Sequence, residues 1–185
     1  MSFNRTFRKP FFLLLSLGLI GCSSYPPIKS VEKVDIDKFM GDWYVIANIP
    51  TFIEEGAHNA IETYKKSDDG TIATTFTFNA DSFTGEKKVY NPTGFIVDEN
   101  SNAIWEMQFI WPFKSDYRII YLDETYTNTI IGRIKRDYVW IMSRQPKIET
   151  EQYMKMLAVL KREKYDIKKV KMVPQQPLSE RQSGN

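Results

Sequence analysis

One cysteine and one histidine occur among the 185 residues. The lone Cys22 excludes an internal disulfide. The lone His58 falls in a segment read as a loop, so neither a histidine-based metal site nor a Ser-His-Asp triad finds support. No glycine pattern of the phosphate- or dinucleotide-binding kind is present. Carboxylates are abundant, but strand alternation places no pair of them on an inward face, so chemistry by a carboxylate pair lacks a positive sign, and no cofactor is called for. The longest apolar run, Phe11 to Ile20, is about half of the ~20 residues that span a bilayer. Internal repeats and low-complexity tracts are absent as well.

That short run is informative in its setting. Arg5, Arg8 and Lys9 precede it and Leu19-Ile20-Gly21-Cys22 ends it, so residues 1–21 read as an export signal. Its removal takes away three basic residues and no acidic ones, and the net charge falls from +2 to about −1. The remaining chain lacks the basic excess of a nucleic-acid binder.

The cut site resembles the lipobox of bacterial lipoproteins, which implies acyl chains on Cys22 and a firm membrane anchor, because two or more chains hold where one does not. Ser23 in place of Asp implies the outer membrane, with the face of the membrane left open. Residues 22–33, with two prolines, read as an acylated cysteine and linker able to reach on the order of 40 Å if extended. Residues 34–177 are one domain-sized unit, and 178–185 a polar, frayed tail.

Within the domain the pattern is all-β. A capped helical turn from Asp35 to Gly41 leads into a strand at Trp43 to Ala47. Further strands are expected at 60–64, 72–78, 94–97, 103–109, 117–122, 126–131 and 138–143, and eight strands suffice to close a small barrel. One amphipathic helix follows Thr150, with Tyr153, Met156, Leu157 and Leu160 on its apolar face, packed on the outside of the barrel.

Three segments then carry a family resemblance. Gly41-Asp42-Trp43-Tyr44, Leu122-Asp123-Glu124-Thr125-Tyr126 and Trp140-Ile141-Met142-Ser143-Arg144 resemble, in order and spacing, the three motifs of lipocalins. The likeness is to the bacterial lipocalin and apolipoprotein D branch, which uses Leu-Asp-x-x-Tyr as its second motif. It implies an eight-stranded antiparallel up-and-down barrel that binds a lipophilic ligand, and it places Trp140 in the pocket. In such a barrel Gly41, Trp43, Asp123, Tyr126 and Arg144 share the closed end, where the guanidinium of Arg144 can cover the Trp43 indole.

Alternation assigns the interior. The inward sets are Phe76 and Phe78; Trp105, Met107 and Phe109; Tyr117, Ile119 and Tyr121; and Tyr138 and Trp140. Alternation alone leaves open whether these residues line a cavity or fill a core. At the opposite end, loops 48–59, 79–88, 110–116 and 132–137 carry Phe52, Ile53, Phe83, Trp111 and Phe113 as an apolar portal, with Arg133, Lys135 and Arg136 on its basic side. Such a mouth suits an acyl tail with an anionic head, a fatty acid or a lysophospholipid. A filled barrel that docks a partner protein stays the alternative, an enzyme the third reading, and a homodimer stays open.

The anchor is testable directly. Cys22→Ala should abolish acylation and release the protein from membranes or leave it as precursor; a wild type without acyl mass, fractionating like the variant, would remove the lipoprotein reading.

Overall fold

The structure is a computed structural model and describes residues 26–181. The signal segment and Cys22 lie outside the described residues.

Asp35 caps a single helical turn, α1 (Ile36–Phe39), by accepting the Lys38 N–H. The strands that follow are β1 (Gly41–Ile49), β2 (Ala57–Lys66), β3 (Ile72–Ala80), β4 (Lys87–Tyr90), β5 (Thr93–Ile96), β6 (Ile104–Ile110), β7 (Phe113–Leu122), β8 (Asn128–Gly132) and β9 (Val139–Ser143). All pair antiparallel in order, and β1 pairs with β9 to close the sheet. Strands β4 and β5 both pair with β3 and are two halves of one barrel strand, broken at Asn91-Pro92. Proline there cannot donate to the ladder. The barrel therefore has the expected eight strands, but its fourth begins at Lys87, well before the expected Gly94.

The helix α2 (Thr150–Arg162) lies on the outer wall. Met156, Val159 and Leu160 bury themselves against Ile46, Ile130 and Ile141. Two irregularities prepare that wall. Between Val45 and Ala47, and again between Ile119 and Tyr121, one strand carries an extra residue. A bulge reverses the alternation beyond it. Hence Ile46 and Ala47 both face the helix, as do Ile120 and Tyr121. Tyr121, expected inside, is outside, and its hydroxyl accepts from Gln152 of α2.

Both ends of the described chain are laid onto the barrel. From Pro26 the stretch read as linker runs along it, with Ile28 buried, the Val31 N–H on the Ile119 carbonyl and the Val34 N–H on the Ser101 carbonyl. After α2, β10 (Lys171–Met172) pairs with Ala47 and Asn48 of β1. The Gln175 amide then donates to the carbonyls of Val45 and Ala60, sealing the seam where β1 and β2 part. The tail read as frayed starts with a helical turn, Leu178–Arg181, whose Arg181 sits over the Tyr44 ring.

One end of the barrel is plugged. Arg144 lies 3.8 Å from the Trp43 ring centre and donates to the carbonyls of Lys38, Phe39, Met40 and Asp42 at 2.7–3.0 Å. The Trp43 indole N–H donates to Phe39 O, and Phe39, Trp43, Tyr64 and Trp105 form a buried aromatic cluster. Gly41 at φ +92° brings the chain under the guanidinium, where a Cβ would stand 3.4 Å from its nitrogen. The Asp123 carboxylate takes the N–H groups of Thr127 and Asn128 and so shapes the β7–β8 turn. Tyr126 belongs to that turn, at φ +56°, and not to the following strand; its hydroxyl accepts from the Asp35 N–H.

Arg144→Ala removes a cation–π contact and several charge-assisted hydrogen bonds together. A loss of about 2–3 kcal/mol in urea unfolding is expected, with Arg144→Lys restoring only part because it lacks the planar fork. Ligand affinity should change less than stability; the reverse result would move Arg144 out of the plug.

Candidate functional site: a half-filled calyx

Above the plug the barrel opens into a cavity of about 350 Å³, within the size range of small-molecule sites. Met107, Phe109, Tyr117, Tyr138 and Trp140 line it, as alternation suggested they would face. Phe76, Phe78, Trp105 and Ile119 are inside too, but they are packed in the core below or beside the cavity rather than lining it. Trp105 belongs to the plug, with its indole N–H on Asn102 O and its ring stacked on Tyr117. Cavity and filled core are both present, one above the other.

The portal residues divide three ways. Phe52, Ile53 and Arg133 line the cavity mouth. Trp111 and Phe113 stand at the rim, exposed. The segment expected as a loop over 110–116 is almost all strand, with only Trp111 and Pro112 between β6 and β7. The rest turn away: Phe83 packs edge-on against His58 on the flank, 5.0 Å between ring centres, and Lys135 is simply exposed. Arg136 points outward, donating to the carbonyls of Pro26, Pro27, Ile134 and Glu163, so it is a clamp and not a portal charge. Arg133 remains, held by Asp137 at 3.5 Å and stacked over Tyr138.

Two buried carboxylates correct another expectation, that no pair of them would lie inside: one is on the cavity floor, the other in the loop at the open end. On β2 the residues Ala60, Glu62 and Tyr64 face inward. The Glu62 carboxylate accepts from the hydroxyls of Tyr64 and Tyr117, which also touch each other. A second buried carboxylate, Glu54 of the β1–β2 loop, accepts from the Trp140 indole N–H at 3.0 Å and from the Thr51 N–H at 2.9 Å. Burial pushes Glu54 above the ordinary carboxylate range against those hydrogen bonds. Burial likewise pushes Glu62 up to about 7, opposed by the two tyrosines and reinforced by the negative charge of Glu54. Alternation along β2 would have found Glu62 from its place between Ala60 and Tyr64; nothing local marks Glu54.

Comparison with known proteins agrees with this geometry. Residues 34–175 match the lipocalin-like domain family, and the chain belongs to it. It is 32% identical over 163 residues to the outer membrane lipoprotein Blc of Citrobacter freundii, covering 85% of this chain and 90% of that one. It is also 27% identical to apolipoprotein D of Bos taurus, over 74% of each chain. Insecticyanin of the tobacco hornworm Manduca sexta shares the fold, with a TM-score of 0.63 at 19% identity over 80% of this chain and 84% of that one.

The floor has a pH signature. Glu62 holds its proton more tightly in the folded protein than in the unfolded chain, so its favourable contribution is full below pH 4.5 and is lost as pH rises to about 7. Urea-derived stability should therefore fall across that window. Glu62→Gln should flatten much of the slope, leaving the part due to Glu54; an undiminished slope would show that Glu62 is not the group responsible.

Proposed function

We propose that the protein is an outer-membrane lipoprotein, anchored through acylated Cys22, that binds the acyl tail of a fatty acid or lysophospholipid in its calyx with the anionic head at Arg133. The arrangement of charge along the cavity carries this reading. Arg133 is the cation among the lining residues and stands at the mouth; the Asp116 carboxylate beside it is taken up by Arg118 and the Ile134 N–H, both at 2.7 Å, whereas Glu62 lies at the floor and Glu54 behind the Trp140 indole. An anionic head entering first would meet the Glu62 carboxyl in a desolvated space. An acyl tail entering first meets Met107, Phe109, Tyr117 and Trp140, and leaves its head beside the guanidinium. The relatives named outer membrane lipoprotein support the address.

The enzymatic alternative asks for a buried polar cluster, and the floor supplies one. Its hydrogen bonds, however, run among Glu62, Tyr64 and Tyr117 themselves and keep a carboxyl in place. We read it as the base of a binding site.

Titration with fatty acids of increasing length should change tryptophan fluorescence with saturation, affinity rising by about 0.8 kcal/mol for each CH₂ that the cavity accepts and levelling off when it is full. Trp140→Phe should remove much of the change, with Trp43, Trp105 and Trp111 as background. Arg133→Gln should weaken anionic ligands and reduce their salt dependence while sparing uncharged ones. If no amphiphile of any length binds the delipidated protein, the partner-docking reading replaces this one.

A further inference from the structure

The described chain begins at the open end of the barrel. Pro26 and Pro27 are gripped through their carbonyls by Arg136, at 2.6 and 3.2 Å, and Arg136 belongs to the β8–β9 loop at the calyx mouth. The same guanidinium donates to Glu163 O at the end of α2, and the Glu163 carboxylate accepts the Lys29 N–H at 3.3 Å. From there residues 28–34 run down the barrel toward the plug. Had the segment run the other way, its N-terminal end would lie at the plug. Four residues from Pro26 back to Cys22 can span at most about 14 Å. An acyl anchor on Cys22, as proposed above, would therefore lie within that reach of the mouth.

Among the described residues the most exposed large apolar side chains also gather at the mouth. Phe52 is 87% exposed, Trp111 81%, Phe113 76% and Ile110 72%, on the β1–β2 and β6–β7 turns. Isolated exposed apolar groups need no explanation, but a cluster at one end marks an interaction surface. Tryptophan and phenylalanine at exposed tips suit the polar–apolar boundary of a lipid leaflet. A tether this short keeps the rim at high effective concentration against the leaflet, so weak partitioning suffices.

We propose that the calyx mouth docks on the phospholipid leaflet that holds the anchor, with Phe52, Ile110, Trp111 and Phe113 in its interface and the Arg136 clamp fixing this orientation. The ligand then passes between leaflet and cavity without crossing open water. The inference rests on the anchoring proposed above, and its test separates the two.

The mature acylated chain has no free thiol other than an introduced one if Cys22 is modified. Single cysteines in place of Trp111, of Phe113 or, at the far end, of Asp68 can carry an environment-sensitive dye, with the protein in vesicles of phosphatidylethanolamine and phosphatidylglycerol. Dyes at 111 and 113 should brighten severalfold, be quenched by brominated acyl chains and be shielded from iodide, while the dye at 68 stays open to iodide. The 113 position guards against a misfolded Trp111→Cys. Equal iodide access at both ends, or shielding at 68 alone, in vesicle-bound protein overturns the orientation and leaves the anchor standing. Protein that carries no acyl mass and stays out of the vesicle fraction overturns both. Shielding at 111 that appears without lipid and grows with protein concentration assigns the rim to a second copy instead.

Discussion

Everything in this molecule depends on the barrel having a bottom, and the bottom depends on Arg144. Its guanidinium is stacked on Trp43 and simultaneously satisfies the carbonyls that α1 leaves unpaired. Phe39 is thereby drawn across the barrel end, and Trp43, Tyr64 and Trp105 close around it. An eight-stranded barrel is just wide enough to be filled by side chains or to hold one small ligand. Here the plug fills the lower half and leaves a cavity of about 350 Å³ in the upper.

The boundary between those halves is chemically sharp. Tyr64 and Trp105 belong to the plug, yet Tyr64 and Tyr117 reach up to hold the Glu62 carboxyl at the cavity floor. Burying this group costs stability unless it is hydrogen-bonded, and two hydroxyls are spent on it. A floor of aliphatic side chains would have been cheaper to fold. On the proposed reading the retained carboxyl would disfavour an anionic head at the floor, so discrimination would come from the floor as well as from attraction at the mouth.

How much of this could be read from the sequence follows from the range of the forces involved. The closed end was legible because Trp43, Asp123 and Arg144 sit at strand ends that an up-and-down barrel must bring together. Most inward faces were legible from alternation, including Trp140 and Met107. Tyr121 was not, since the bulge beside it leaves no mark in a run as uniformly apolar as Ile119-Ile120-Tyr121. Glu62 is the residue that alternation with Ala60 and Tyr64 puts inside, but a charged side chain in a strand reads first as a solvent-facing one, and only its tyrosine partners from β2 and β7 show why it is buried. Arg136 looks like its neighbours Arg133 and Lys135 in a basic loop; only the position of Pro26 and of the α2 terminus separates a clamp from a portal charge.

The bulges that defeat alternation are also what connects the cavity to the N-terminal segment at Pro26. Each turns an additional apolar residue outward, Ile46 on β1 and Ile120 on β7, and these with Ile130 and Ile141 make a bed that one regular barrel face could not supply. Helix α2 lies in that bed and ends at Glu163, whose carbonyl and carboxylate fix Arg136 and Lys29 beside the mouth. The orientation of the N-terminal segment is therefore decided by strand irregularities on the far side of the calyx wall. A barrel with perfect alternation could keep its pocket and lose the helix seat, and with it the clamp that holds Pro26 and Pro27 at the opening.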